Sequence, residues 1–179
     1  MIGDYTQIVA LNDRKGAEQR DVVCASIYEP VRQDYKSFVG YIDEADLGLG
    51  CGFPFLFAGT EPGYNILDLG CAAGIDSFIA ATMTRTTGGV LGSDFKQVPV
   101  NRGKKIAREK KYNRVRFEQD DMEHFDRGAN WADAVITNGV FSLLPDLDSA
   151  FAKAYKALKP GAILCMPDIN KKSKYDTAT

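Results

Sequence analysis

Residues 65–74 read Asn65-Ile66-Leu67-Asp68-Leu69-Gly70-Cys71-Ala72-Ala73-Gly74, and this stretch decides the fold. A short apolar run ends in two glycines and leads into Ile75–Thr84, where apolar residues keep a helical spacing. A strand that turns through glycines into a helix is the opening unit of a parallel α/β sheet. A nicotinamide or flavin dinucleotide needs G-x-G-x-x-G at such a turn, so that its pyrophosphate reaches the backbone at the helix N-terminus. Counted from Gly70, the next two positions hold Ala72 and Ile75, and the third is wrong. The spacing is D-x-G-x-x-x-G, with Asp68 inside the strand end. A carboxylate there opposes pyrophosphate and suits a cation, either ammonium or sulfonium.

Downstream, short apolar runs alternate with helical stretches. The expected strands are Asn65–Leu69, Gly89–Ser93, Val115–Glu118, Ala132–Thr137 and Ala162–Met166. The expected helices are Ile75–Thr84, Val98–Lys111 and Leu147–Leu158. The last has Asp146 or Asp148 as its cap, a face of Leu147, Phe151, Ala154, Tyr155 and Leu158, and a stop at Lys159-Pro160-Gly161. Apolar strands joined by helical crossovers imply a mostly parallel sheet with helices on both faces. Residues 1–54 read differently: a helical pattern over Ala17–Phe38, interrupted by Pro30, then the glycine-rich Asp46–Pro54. The chain therefore divides into a cap with a glycine-rich loop (1–54) and a nucleotide-binding domain (55–179).

Two further strand ends carry acids. The second closes on Ser93-Asp94-Phe95, where a carboxylate can accept from both ribose hydroxyls and the ring can pack on a base. The third closes on Gln119-Asp120-Asp121-Met122, where an acid can accept from an adenine amino group. Acids at three strand ends, along the edge where open α/β sheets bind ligands, describe an adenosine with a positively charged amino-acid tail. The plainer alternative is three acidic helix caps.

Asp68 to Gly74, Asp94, Asp121-Met122, Asn138 and Leu158-Lys159-Pro160-Gly161 together resemble the ordered motifs of class I S-adenosylmethionine-dependent methyltransferases, over about Asp46 to Asp168. The resemblance implies a Rossmann-like, doubly wound sheet of five strands in the order 3-2-1-4-5, without the family's last antiparallel hairpin. It implies that the loop of Asp68, Gly70, Cys71, Ala72 and Gly74 passes under the methionine moiety of S-adenosyl-L-methionine. It places Asp94 on the ribose and Asp121 on the adenine, with Phe95 and Met122 beside the base and Asn138 completing the set. Ala72 departs from the more usual middle glycine.

A closer resemblance joins Asp46-Leu47-Gly48-Leu49-Gly50-Cys51-Gly52-Phe53-Pro54, Asp76-Ser77-Phe78 and Asn138-Gly139-Val140-Phe141-Ser142-Leu143 to the arsenite methyltransferases. Trivalent arsenic is soft and thiophilic, and that group gathers three cysteines for it. Cys51 matches the first, Gly139 stands where the second is expected, and the third belongs to a C-terminal region not present here. Cys24 could stand in from the extension, but nothing in the sequence places it near the site. Cys51 is thus the candidate substrate contact. Methyl transfer from a sulfonium to a soft nucleophile requires alignment and exclusion of water rather than a general base, so no catalytic side chain is nominated.

Composition narrows the remaining classes. The 179 residues are 45% hydrophobic and 26% charged with a net charge of −2, which excludes collagen-like and largely disordered chains. The chain lacks a membrane-length apolar run, and its start lacks a signal-peptide pattern, so the expected setting is cytoplasmic with no membrane partner. Four cysteines without C-x-x-C, and a single histidine, His124, do not form a metal site. Nine basic residues between Lys96 and Arg116 suggest a nucleic-acid face, hence an RNA methyltransferase. Without interleaved aromatics they read better as the solvated side of a helix, so nucleic acid is not the expected partner. A small-molecule or metalloid acceptor is. The contrasting reading is a truncated module that binds cofactor without catalysis. Few residues follow the fifth strand, whose outer edge should then be covered by a second copy or by the extension, unless the chain is a fragment.

Overall fold

A computed structural model describes Tyr28, residues 31–85 and residues 87–168. Most of the helical pattern over Ala17–Phe38, Cys24, and the chain after Asp168 lie outside the described residues.

Five parallel strands form one sheet in the order β3-β2-β1-β4-β5. They are β1 (Asn65–Leu69), β2 (Gly89–Asp94), β3 (Val115–Gln119), β4 (Ala132–Thr137) and β5 (Leu158–Cys165). The helices are α1 (Arg32–Ser37), α2 (Pro54–Phe57), α3 (Ile75–Thr84), α4 (Gln97–Glu109) and α5 (Leu147–Ala157). Alternate residues of each strand serve opposite faces. Ile66, Val90, Phe117, Ala134 and Ile136 join a core that includes Phe78 and Ile79 of α3 and Val100 and Ile106 of α4. Leu67, Leu69 and Val135 face the other way, onto Ala150, Ala154 and Ala157 of α5 together with Met122 and Phe125. Helices on both faces make the sheet doubly wound.

α3 is buried almost all round because the sheet lies on one side and Tyr28 and residues 31–58 on the other. Tyr35, Phe38, Phe53 and Phe55 form an aromatic cluster, with ring centroids 4.9–6.4 Å apart, that continues into the core of the sheet. The described part of the cap thus shares its core with the nucleotide-binding fold. On α4, Arg102, Lys104, Lys105 and Arg108 are exposed opposite Val100, Gly103, Ile106 and Ala107.

Two expectations need correction at the end of the chain. Lys159-Pro160-Gly161 is not a break before the strand; β5 already starts at Leu158, opposite Ala132. The ladder slips there and resumes with Ile163 opposite Ala134, while Gly161 takes φ +80°. Proline and glycine fit such a bulge at a sheet edge, where one side needs no ladder hydrogen bonds. The second correction concerns the buried face of α5. Asp146 caps this helix by accepting from the Ser149 N–H at 3.0 Å. Ala150, Ala154 and Ala157 face the sheet, while Leu147, Phe151 and Tyr155 are 43%, 39% and 81% exposed. Small residues let the helix axis approach the sheet closely, and the large ones are left on the outside.

Candidate cofactor and acceptor site

The carboxyl ends of β3, β2, β1 and β4 lie side by side and present, in that order, Gln119–Asp121, Asp94, Asp68–Gly74 and Asn138. Sheet order, not sequence distance, brings them together. The crevice outside such ends is where open α/β sheets hold ligands.

The glycine loop is packed too closely for side chains at its two ends. A Cβ on Gly70 would lie 2.5 Å from Val140 Cγ2, and one on Gly74 would overlap the Phe117 ring. Both glycines have positive φ, +74° and +93°, and so does Ala72 at +49°. Ala72 is therefore more than a mild departure from glycine, because its backbone is left-handed and an L-residue is strained there. The Ala72 N–H donates to Asp94 Oδ2 at 2.9 Å, which ties the loop to the next strand. The Lys96 N–H donates to Asp94 Oδ1 at 2.8 Å. Each oxygen of Asp94 keeps a lone pair for a further donor.

Three buried carboxylates surround this loop: Asp68 and Asp94 at strand ends, and Asp76 in the first turn of α3. Burial pushes all three above the usual carboxylate range. Asp68 is raised by desolvation and by the neighbouring charges of Asp76 and Asp94, against the Ser77 hydroxyl that donates to its Oδ2 at 2.5 Å. Asp94 is raised by desolvation, opposed by its two backbone donors and by Lys96. Asp76 is pushed up to about 6 by desolvation, opposed by the Asn138 and Tyr35 side chains, with Asp46 adding to the rise. Lys96 is the cation that acts on Asp94, and the neighbouring charges that act on Asp68 are those of Asp76 and Asp94. A site with three buried carboxyl groups this close together favours a cation. The Cys71 thiol lies buried in the same loop and stays protonated, pushed up by desolvation and by the acids around it.

The residues expected beside the adenine are arranged differently. Asp121 is exposed; its carboxylate accepts from the Glu123 N–H at 3.0 Å and lies 2.9 Å from His124 Nδ1. Burial would raise this carboxyl, but those two partners outweigh it and hold it below the usual range. Met122 is buried in the core beside Leu69 and Phe125, whereas Phe95 is 65% exposed with the Lys96 ammonium 5.7 Å from its ring centre.

Cys51 reaches the same edge from the cap. Its loop enters at Asp46, whose Oδ1 accepts from the Gly48 N–H and whose Oδ2 accepts from the Tyr41 hydroxyl, both at 2.8 Å. Asn138, just after β4, holds the loop on the other side, its side chain contacting the loop, Asp76 and Tyr35. Asn138 Oδ1 accepts from the Cys51 N–H at 2.6 Å. Asn138 Nδ2 lies 2.9 Å from Gly52 O, 2.9 Å from Asp76 Oδ2 and 2.8 Å from the Tyr35 oxygen. Gly139 comes next, at φ +69°, and a Cβ built on it would sit 2.9 Å from Cys51 Sγ. The position where a second thiol was expected is thus in contact with the first. After β5 the chain returns here: Pro167 O accepts from the Gly139 N–H at 2.9 Å. Among the described residues no three His, Cys, Asp or Glu side chains gather as a metal site, and no helix is long and apolar enough to cross a membrane.

A family model described as a methyltransferase domain matches residues 60–178. The chain belongs to the methyltransferase-domain family. Within that family it is 32% identical over 145 residues to an arsenite methyltransferase of Halobacterium salinarum, covering 81% of this chain and 37% of the relative. It is 30% identical over 129 residues to an arsenite methyltransferase of Aquipseudomonas alcaligenes, covering 67% and 36%. A solved arsenic(III) S-adenosylmethionine methyltransferase from Chlamydomonas reinhardtii superposes with a TM-score of 0.58 at 26% identity, over 80% of this chain and 47% of that one. This methyltransferase domain spans little more than a third of the length of the two curated relatives.

Tyr35 and Asp76 were absent from the sequence-based list of site residues. Tyr35 lies 103 positions from Asn138, and no spacing rule links such partners. An acid in the first turn of a helix, as Asp76 is, reads as a favourable partner of the helix dipole.

Proposed function

We propose that this chain carries the S-adenosyl-L-methionine site of a methyltransferase whose acceptor is a small molecule or metalloid, trivalent arsenic being the best match. The observation that carries the reading is the set of three buried carboxylates, Asp68, Asp76 and Asp94, around a glycine cradle that side chains would fill. That chemistry fits a ligand bearing both an ammonium and a sulfonium. Asp68 and the loop of Gly70, Cys71, Ala72 and Gly74 would hold the amino-acid tail. Asp94 would accept from the ribose and Asp121 from the adenine amino group, with Phe95 over the base. Met122, being buried, would back the base from the core. Asn138 would contribute by holding the Cys51 loop at the cofactor's methyl end.

When bound, the cofactor supplies an activated methyl group: the acceptor's lone pair forms the new bond to carbon as the carbon–sulfur bond breaks, its electron pair returning to sulfur. The chain's own part is to align and to dehydrate. Cys51 offers a soft donor to a soft acceptor, and the cap carries the aromatic cluster that excludes water behind it. Calorimetric titration with S-adenosylmethionine and with S-adenosylhomocysteine tests the cofactor site, and mass-spectrometric detection of methylated arsenic tests the acceptor. Absence of binding by both nucleosides would refute the reading. Binding without turnover would leave the domain as a cofactor module.

We also propose a cytoplasmic homodimer that buries the outer side of β5. Among the described residues no strand pairs with that side. Light scattering at micromolar concentration tests this, and a monomer would refute it.

A further inference from the structure

Tyr35, Asp76 and Asn138 close on one another and on Gly52 in a way that limits how many protons the group can do without. The Tyr35 oxygen is 2.6 Å from Gly52 O, a pure acceptor, and 2.8 Å from Asp76 Oδ1. Asn138 Nδ2 contacts Gly52 O, Asp76 Oδ2 and the Tyr35 oxygen. Five short contacts therefore share one hydroxyl hydrogen and two amide hydrogens if Asp76 is ionised. The hydroxyl can serve Gly52 or Asp76 but not both, which leaves two oxygen acceptors facing each other without a hydrogen, buried from water. A proton on Asp76 Oδ1 removes the conflict. Asp76 then donates to Tyr35, Tyr35 donates to Gly52, and Asn138 donates to Asp76 Oδ2 while its Oδ1 holds the Cys51 N–H.

We infer that Tyr35, Asp76 and Asn138 are positioning residues that hold the Cys51 loop over the site in its closed form only while Asp76 carries a proton. The inference rests on the proposed function for what the loop does, and on the hydrogen-bond geometry alone for how it is held. The surroundings of Asp76 act in the same direction. Asp46 faces it from the loop, Asp68 from β1 with Asp94 beyond, Tyr28 from the cap and the Cys71 thiol from the glycine loop, while the Asn138 and Tyr35 side chains, which bond to the carboxyl, oppose the rise without cancelling it. Arg32 sits on the far carboxylate, 3.6 Å from Asp46 Oδ2. Burial and this acidic surrounding push the carboxyl up to about 6, so the switch falls in an accessible range.

The test is hydrogen–deuterium exchange of the Cys51 amide in the full chain without cofactor, at about pH 5 and about pH 8, corrected for intrinsic exchange. Protection in the unaltered chain should fall about tenfold between the two. Asp76→Asn reproduces the protonated pattern, its amide donating to Tyr35 and its carbonyl accepting from Asn138. It should keep the amide protected at both pH values. Tyr35→Phe removes the oxygen that opposes the carboxylate and should also flatten the profile. A flat profile in the unaltered chain overturns the inference, as does a retained step in either variant, or an Asp76→Asn amide unprotected at both pH values. A merely structural role would cost protection equally at both. Should Asp76→Asn fail to fold, the unaltered chain and Tyr35→Phe still decide. Because no cofactor is present, a negative result leaves the methyltransferase reading intact, and failure of cofactor binding leaves this one intact.

Discussion

Gly139→Cys puts the geometry of the acceptor side to a direct test. A Cβ at this position lies 2.9 Å from Cys51 Sγ, close to the separation of about 3 Å between a Cβ and the far sulfur of a disulfide. The introduced thiol therefore needs little movement to bond to Cys51. Two energies oppose each other. The backbone at 139 has φ +69°, and a side chain there costs about 1–2 kcal/mol, so the reduced variant should melt below the unaltered chain. Closing a loop of about 90 residues by a disulfide restricts the unfolded chain by about 4.5 kcal/mol. The oxidised variant should accordingly exceed the unaltered chain by about 2.5–3.5 kcal/mol. Thermal melts with and without reductant measure both, and peptide mapping identifies the bond. In the reduced state the paired thiols should hold trivalent arsenic at least about tenfold more tightly than Cys51 alone, because the second contact is intramolecular. Melts unaffected by oxidant, with no peptide linking Cys51 to the new cysteine, would refute the placement of the Cys51 loop against β4.

Asp94→Ala removes a charged acceptor that also anchors Ala72, and should weaken S-adenosylmethionine binding about 10- to 100-fold by calorimetry; unchanged affinity would remove Asp94 from the ribose. A cation entering beside Asp68 and Asp94, whose carboxyls burial holds above the usual range, favours their ionised forms. Binding should therefore release protons and tighten as pH rises, which titration in buffers of different ionisation enthalpy detects; proton uptake would have the wrong sign. Asp76 is near its ordinary value of 3.8 when unfolded and about 6 when folded, so its ionisation penalises the fold increasingly between those values. Asp76→Asn should then stabilise the protein by about 3 kcal/mol above that range and by almost nothing below it, as read from denaturant melts across pH. Ala72→Gly relieves a left-handed backbone and should stabilise by up to about 1 kcal/mol; destabilisation would mean that the methyl group packs usefully.

The parts of the fold legible in the sequence were those governed by local pattern. β1 and β4 begin and end where the apolar runs Asn65–Leu69 and Ala132–Thr137 do, and α3 runs over the expected Ile75–Thr84. The start of β5 was not legible, since proline and glycine signal a break in the same way whether they end an element or shape a bulge at a sheet edge. The α5 face was misread because hydrophobicity ranks Leu147, Phe151 and Tyr155 above alanine, whereas close approach to the sheet selects Ala150, Ala154 and Ala157. In the site, the glycine loop and the strand-end acids were legible because one turn and one sheet edge confine them. The clamp was not: Asp76 lies 41 positions from Tyr35 and 62 from Asn138, and only the finished fold makes them neighbours.

Those separations bear on how the domain comes into being. During synthesis Tyr35 emerges more than a hundred residues before its partner at the end of β4. The aromatic cluster of the cap can collapse early on α3, but the Cys51 loop has nothing to fasten to until β4 has been added beside β1. Cofactor-side elements, from Asp68 to Asp121, are complete by then. The Cys51 loop is therefore fastened only after those strand ends are in place, and a stalled or slowly folding chain passes through a state with its glycine loop and strand-end acids formed and its thiol loop unfastened.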